Sequence, residues 1–426
     1  MIVLPFVLFF IWFVVVFKKQ GFTVGSYILL LYCVISLCSI VVDWFDYYDA
    51  SCTKLPLGVH APLLYCILIS FCVYPFTRIH FQNIKVLQGR SLQFFDIVVY
   101  FYFTIFLIVL LVSFEKINEL LMTDNELLMS NLVVIRGELY SGTAESFYNH
   151  LTGFPRYVSA ICNILSPSSF VMILFFMYSM AFLHKPALFN IIALCGSFTP
   201  LLVSINIVDR SQFLYWLLLL GLSFSLFYKF FSKKAKTGLI IHLSVVIGAI
   251  LLFFSVVTIA RFGERENGLL GGLFLYAGQS YINFCNFINY LQPAFAFYIN
   301  FPFINDYIFH EPSYFEISAR LNQASPVMVN VFSTFLGIIY SMSGLIVMIL
   351  YVLVYRFATD YFLRRHIVRM YGFERLMVLW ILASVPTLGL FGHFYMSSSA
   401  TIAIVCWLFI GFLLSNEKIT LQQRQI

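Results

Sequence analysis

The sequence predicts an all-α, polytopic membrane protein, and three observations carry that expectation. Of its 426 residues, 61% are hydrophobic and only 10% are charged, where a soluble protein has about a quarter charged. Phenylalanine alone, at 50 residues, outnumbers the 25 basic and 19 acidic residues together. The apolar residues also fall into runs of the length that crosses about 30 Å of hydrocarbon as a helix. No soluble core hides that much apolar surface, so most of it must face lipid. Disorder, a disulfide scaffold, a fibrous repeat and a cytosolic enzyme are excluded.

Taken in order, the runs predict eleven spans. Ile2–Phe17 has no basic residue before it and Lys18–Lys19 after it, the reverse of a signal peptide, so it counts as the first span. Phe22–Val42 and Ala61–Phe76 follow, then Phe94–Phe114, Tyr157–Leu183, Ala187–Val208, Phe213–Phe231 and Leu239–Ala260. Val327–Tyr355, Leu376–Phe394 and Thr401–Leu414 complete the series.

Basic residues orient spans. With Met1 outside, the cytoplasmic loops hold 17 of the 25 basic residues but only Asp96, Asp360, Glu374 and Glu417 of the acidic ones. An odd span count then places the C-terminus in the cytoplasm. The net charge of +6 is thus an orientation signal and gives no indication of nucleic-acid binding. The nine cysteines are scattered singly, and most lie in apolar runs as small hydrophobes. Only Cys52 and Cys285 share a loop side and could bridge.

Two connections on the outer side are too long for simple turns, and loops of that length usually carry function. The first, 115–156, has amphipathic spacing at Ile117, Leu120 and Leu121 and again at Leu127 and Leu128, which predicts a helical pair. The second, 261–326, opens on Arg261, runs apolar and aromatic through Gly271–Phe303, and ends with Asp306, His310, Glu311, Glu316 and Arg320. Its stretch Leu270–Asn300 is nearly apolar enough to cross. Counting it as a twelfth span would export Arg356–Arg375, so it reads as re-entrant or interfacial helices.

The outer face collects Arg136, Arg156, Arg210, Arg261, Arg265 and Arg320, with Lys54 and Lys116 its only lysines. A guanidinium binds phosphate oxygens in two-pronged fashion and keeps its charge near lipid. Arg210 and Arg261 each close a span, at the depth of a lipid-linked diphosphate. The competing reading makes them snorkelling anchors, or partners of Asp209 and Glu264. Asp209, Glu264, Glu266, Asp306, His310 and Glu311 are candidate general bases, or else solvated loop charges. Tyr276, Gln279, Tyr281, Asn283, Asn286 and Tyr290 mix rings with amides, which suits a sugar and equally suits helix packing. Asp43, Asp46 and Asp49 are spaced loosely between aromatic residues, so no metal is assigned, and no cofactor is implied. Ionisable groups are scarce within the spans, which argues against a transporter, and no paired broken helices are visible.

Ala260-Arg261-Phe262-Gly263, then Tyr276-Ala277-Gly278-Gln279-Ser280 and Asn283-Phe284, resembles what Wzy-type oligosaccharide repeat-unit polymerases of O-antigen and capsular polysaccharide show before their large loop. The architectural likeness covers nearly the whole chain and the motif about 25 residues. O-antigen ligases share the architecture, but their long loop is richer in His than this one, where His310 stands alone. The resemblance implies a GT-C-like membrane glycosyltransferase with a large external loop, in the bacterial cytoplasmic membrane. It implies an undecaprenyl-diphosphate-linked oligosaccharide as substrate and a chain-length regulator as partner. Arg261, Arg265 and Arg210 would then hold the diphosphate with Arg136 in reserve, Glu264 or His310 would be the base, and Arg320, Tyr276, Gln279 and Asn283 would line the substrate. A flippase of lipid-linked oligosaccharide is the alternative from a different class.

Overall fold

The computed structural model describes residues 1–78, 85–86, 92–122, 154–206, 211–241, 243–244, 248, 268–329, 331–365, 370–394 and 397–415. Among these, helix dominates, and the only strands are the two-residue Lys85–Val86 and Met370–Tyr371. α1 (Leu4–Gln20) carries Pro5 in its first turn, where no N–H is needed, and Lys18 and Lys19 beside its last carbonyls. α2 (Val24–Phe45) opens on a reciprocal cap in which Thr23 N–H donates to Ser26 Oγ at 2.7 Å and Ser26 N–H to Thr23 Oγ1 at 3.4 Å. α3 (His60–Thr77), α4 (Leu92–Met122), α5 (Phe154–Leu165) and α6 (Val171–Tyr178) follow. α7 (Ala187–Gly196) and α8 (Thr199–Asn206) form a pair bent by 41°, and α9 is Ser211–Phe227. α10 (Gly268–Tyr290), α11 (Tyr314–Ala324), α12 (Phe335–Arg365), α13 (Phe373–Leu388) and α14 (Ser398–Ser415) complete the order.

Six stretches among the described residues are helical, long and apolar enough to cross a membrane: Val24–Phe45, His60–Thr77, Phe94–Phe114, Arg156–Leu183, Ser211–Phe230 and Phe335–Leu363. The bent pair would make a seventh. The fold is that of a helical, multi-pass membrane protein. α1, α13 and α14, with 17, 16 and 18 residues, occupy three further expected spans. The expected span Leu239–Ala260 and the helical pair expected in 115–156 lie mostly outside the described residues. One boundary is corrected: the helix expected from Val327 begins at Phe335. Residues 325–329 and 331–334 are not helical; Thr334 Oγ1 accepts from Gly337 N–H at 3.4 Å instead, capping the later start.

The chain divides into two compact units. The first holds Met1–Lys85, Phe262–Tyr371 and Leu379–Thr401. At its centre Phe9, Tyr32, Tyr65, Tyr281 and Phe284 are fully buried and pack ring against ring. The second holds Val86–Arg261, Gly372–Val378 and Ile402–Ile426. There Phe95, Phe175, Tyr178 and Phe373 form the aromatic core. Its buried indoles find acceptors: Trp407 Nε1 donates to Ser168 O at 2.6 Å and Trp216 Nε1 to Ser197 Oγ at 3.0 Å.

Among the described residues α3 and α13 each contain an interior proline, and each proline frees the carbonyl four residues earlier. Pro75 of α3 frees Phe71 O, which accepts from Arg356 Nη1 at 3.3 Å. Pro386 of α13 frees Leu382 O, which accepts from Tyr355 Oη at 2.7 Å. In apolar surroundings an orphaned carbonyl is costly. Adjacent residues of α12 answer both. The end of α13 is satisfied likewise: Pro386 O accepts from Tyr32 Oη at 3.0 Å and Gly389 O from Phe335 N–H at 2.8 Å.

Candidate functional site

The long loop that begins at 261 enters the described structure as α10, a continuous 23-residue helix. It packs lengthwise on α2. A Cβ on Gly278 would come within 2.7 Å of the Cys38 and Ser39 backbone, and Ser39 Oγ donates to Gly278 O at 2.7 Å. Cys38 lies seven residues before the end of α2, about 10 Å along its axis at 1.5 Å per residue. Against a helix as apolar as lipid, close packing and hydrogen bonds hold α10 in place more than water exclusion does.

One stripe of α10 carries Gln279, Asn283, Asn286 and Asn289. Their side chains meet the irregular backbone that links α2 to α3, where helix cannot supply the hydrogen bonds. Gln279 Oε1 accepts from Ser51 Oγ at 3.2 Å. Asn283 Nδ2 donates to Ser51 O at 3.2 Å and Phe332 O at 2.9 Å, Asn286 Nδ2 to Thr53 O at 2.9 Å, and Asn289 Nδ2 to Leu57 O at 2.7 Å. Tyr290 Oη adds a bond to Pro56 O at 2.7 Å. Gln279 and Asn283 are therefore buried within the fold, Gln279 engaged by the Ser51 hydroxyl and Asn283 by backbone carbonyls. Tyr276 stands edge-on to Phe332, ring centroids 4.7 Å apart. Cys52 and Cys285 are both free and buried.

Asp43 at the end of α2 and Asp46 and Asp49 of the α2–α3 link are also engaged one by one. Asp43 accepts from Tyr48 Oη at 2.8 Å, Asp46 pairs with Lys54 at 2.8 Å, and Asp49 accepts from Ser51 N–H at 2.7 Å. Among the described residues no group of three His, Cys, Asp or Glu side chains could hold a metal.

Beyond α10 the loop changes character. Residues 297–309 are 3-10, α and π turns with Phe297, Phe301, Phe303, Ile308 and Phe309 exposed. The π-turn closes on His310, whose backbone is left-handed (φ 53°) and whose N–H donates to Asn305 O at 2.8 Å. Buried Asn305 also grips the next residue, donating to Glu311 O at 3.0 Å and accepting from Glu311 N–H at 3.2 Å. Ser313 and Glu316 then form the capping box that starts α11, on which Arg320 is exposed.

These turns assemble one polar cluster. Tyr298 lies within electrostatic reach of Glu311, Arg320 and Glu316. Its hydroxyl is held above the ordinary phenol range by loss of water first and by the Glu311 carboxylate next; Arg320 opposes, and Glu316 adds. His310, adjacent to Glu311, presents an exposed imidazole, a side chain able to take or give a proton. Chemically the cluster offers a guanidinium for an anion, an imidazole and a carboxylate for a proton, and an apolar edge. Of the residues picked from sequence, the structure brings His310 and Arg320 to this loop and places Tyr276, Gln279 and Asn283 in the packing of α10. Arg136, Arg210, Arg261, Glu264 and Arg265 lie outside the described residues. Tyr298 was missed, because a lone tyrosine in an aromatic run gives no sign of the carboxylates that fold next to it. Compared with family models, curated proteins and solved structures, the chain matches none.

Proposed function

We propose that the chain is a membrane glycosyltransferase that polymerises oligosaccharide repeat units carried on undecaprenyl diphosphate. In this reading it has eleven spans and a GT-C-like architecture, with its N-terminus outside and its C-terminus in the cytoplasm of a bacterium. The observation that supports it most is that one stretch carries His310 and Glu311, with Glu311 and Arg320 both acting on Tyr298, together with the exposed edge Phe297, Phe301, Phe303, Ile308 and Phe309. An amphiphile with an anionic head and a polyprenyl tail needs that pairing. A hydroxyl of one lipid-linked unit attacks the anomeric carbon of the growing chain's reducing-end sugar, and lipid diphosphate departs. Arginines preplaced where the diphosphate gathers charge, Arg261, Arg265 and Arg210 foremost, stabilise that transition state. His310 or Glu264 takes the hydroxyl proton. A chain-length regulator is the expected partner.

The test is Arg261→Ala, which should stop polymer growth while single repeat units are still exported on their lipid. One observation favours an exporter instead: α12 is interrupted at Gly344, and α7–α8 are bent by 41°, and broken helices mark many transporter sites. Repeat units stranded on the inner leaflet of the Arg261→Ala strain would favour that second reading.

A further inference from the structure

Gly344 lies inside the candidate span Phe335–Leu363 with φ 85° and ψ 175°, so α12 is broken there. Only glycine adopts that backbone readily. The extended residues that follow α10 lie against the break. Ala294 N–H donates to Ser341 O at 2.9 Å, and Ala296 N–H donates to Met342 O at 2.7 Å. Tyr340 Oη donates to Leu291 O at 3.1 Å, and Asn300 Nδ2 to Ser343 Oγ at 2.6 Å. Between these rungs Phe295 takes a left-handed backbone (φ 56°). Its ring lies 3.0 Å from where a Cβ on residue 344 would sit.

Each detail fits one device. In a continuous helix, Ser341 O and Met342 O would accept from residues 345 and 346. Here the loop supplies donors to the same two carbonyls. Two alternative donor sets for one pair of acceptors make a bistable element, and glycine is the one residue compatible with both backbones.

We propose that the break at Gly344 is a seat for residues 291–296, and that α12 closes into a continuous helix when the loop leaves it. The seated state fixes the start of the turn that carries Tyr298, and through Asn305 and Glu311 the rest of the polar cluster. The proposal concerns how the loop is held and stands apart from the polymerase reading.

Hydrogen–deuterium exchange of the full-length protein in lipid nanodiscs tests it without any activity measurement. In the native sequence the amides of Ala294 and Ala296 should exchange slowly. Gly344→Ala favours the closed helix and pushes on Phe295, so those amides should exchange about tenfold faster while α2 and α10 keep their protection. Unchanged exchange at Ala294 and Ala296 in Gly344→Ala would overturn the proposal. If that variant loses protection throughout, Ser343→Ala decides. It removes the Asn300 bond and leaves the backbone of residue 344 alone. Faster exchange confined to residues 291–300 in Ser343→Ala supports the seat, and native-like exchange there overturns it.

Discussion

Arg356 Nη1 donates to the carbonyl of Phe71 at 3.3 Å, the acceptor that Pro75 deprives of its helical donor. Arg356 also pairs with Asp360 at 2.9 Å and lies 4.5 Å over the Tyr74 ring. Its charge helped to orient the spans in the sequence, yet in the structure it is a packed member of one. Arg356→Ala should therefore destabilise the protein by about 1–3 kcal/mol, the cost of leaving a carbonyl of an apolar spanning helix without a donor. Arg356→Lys should recover only part, since an ammonium lacks the planar fork that reaches several partners. Thermal unfolding in detergent, followed by tryptophan fluorescence, measures both.

Tyr355 answers Pro386 in the same way, through Leu382 O. Tyr355→Phe should cost about 1–3 kcal/mol for the same reason. Pro386→Ala restores the missing N–H, so in that background Tyr355→Phe should cost clearly less. A double-mutant cycle isolates the coupling. Equal costs in both backgrounds would show that the hydroxyl does not compensate the proline.

The contact of α10 with α2 depends on Gly278. Gly278→Leu would drive a side chain into the α2 backbone at Cys38 and Ser39 and should cost about 1–3 kcal/mol or prevent folding. Gly238→Ala, with open space at the Cβ position, should be tolerated. The comparison is read from the yield of monodisperse protein and its unfolding temperature.

The amide stripe and the polar cluster should separate by phenotype. Asn286 is fully buried, and Asn286→Ala should lower stability by about 1–3 kcal/mol because Thr53 O loses its donor. Arg320 is exposed and should leave stability unchanged when replaced by Ala, but cut polymer formation by about 10²-fold if it meets the departing diphosphate. A stable Arg320→Ala protein that makes full polymer would remove Arg320 from the site.

The span positions were legible because length and apolarity suffice for them: Phe22–Val42, Ala61–Phe76 and Phe213–Phe231 are met by helices within a few residues of expectation. What the rest needed was a tertiary partner. Gln279 and Asn283 suited a sugar by residue type. Gln279 accepts from the Ser51 hydroxyl and Asn283 donates to the Ser51 and Phe332 carbonyls, uses that become visible only once the irregular link, with Pro56 and Gly58, is seen to pack against α10. The break at Gly344 sits in an apolar run that reads as unbroken helix, and glycine is common in spanning helices. Of the site itself, the sequence singled out His310 and Arg320 by residue type, while their placement beside Glu311 and on α11 comes from the fold.

Orientation can be read directly. Reporter fusions after Lys236 and Arg375 should report cytoplasm, and a fusion within Ser313–Ala324 should report the exterior. A cytoplasmic signal from the last would invert the loop that carries the polar cluster and contradict the proposed external site.

The polymerase reading meets its most direct test in the purified protein. Reconstituted in liposomes with a synthetic repeat unit on undecaprenyl diphosphate, it should release undecaprenyl diphosphate and build a ladder of longer lipid-linked oligosaccharides. Arg261→Ala should slow that ladder by about 10²–10³-fold, and Arg261→Lys should remain impaired. Transfer of the lipid-linked unit across the bilayer with no new glycosidic bond would contradict the polymerase reading.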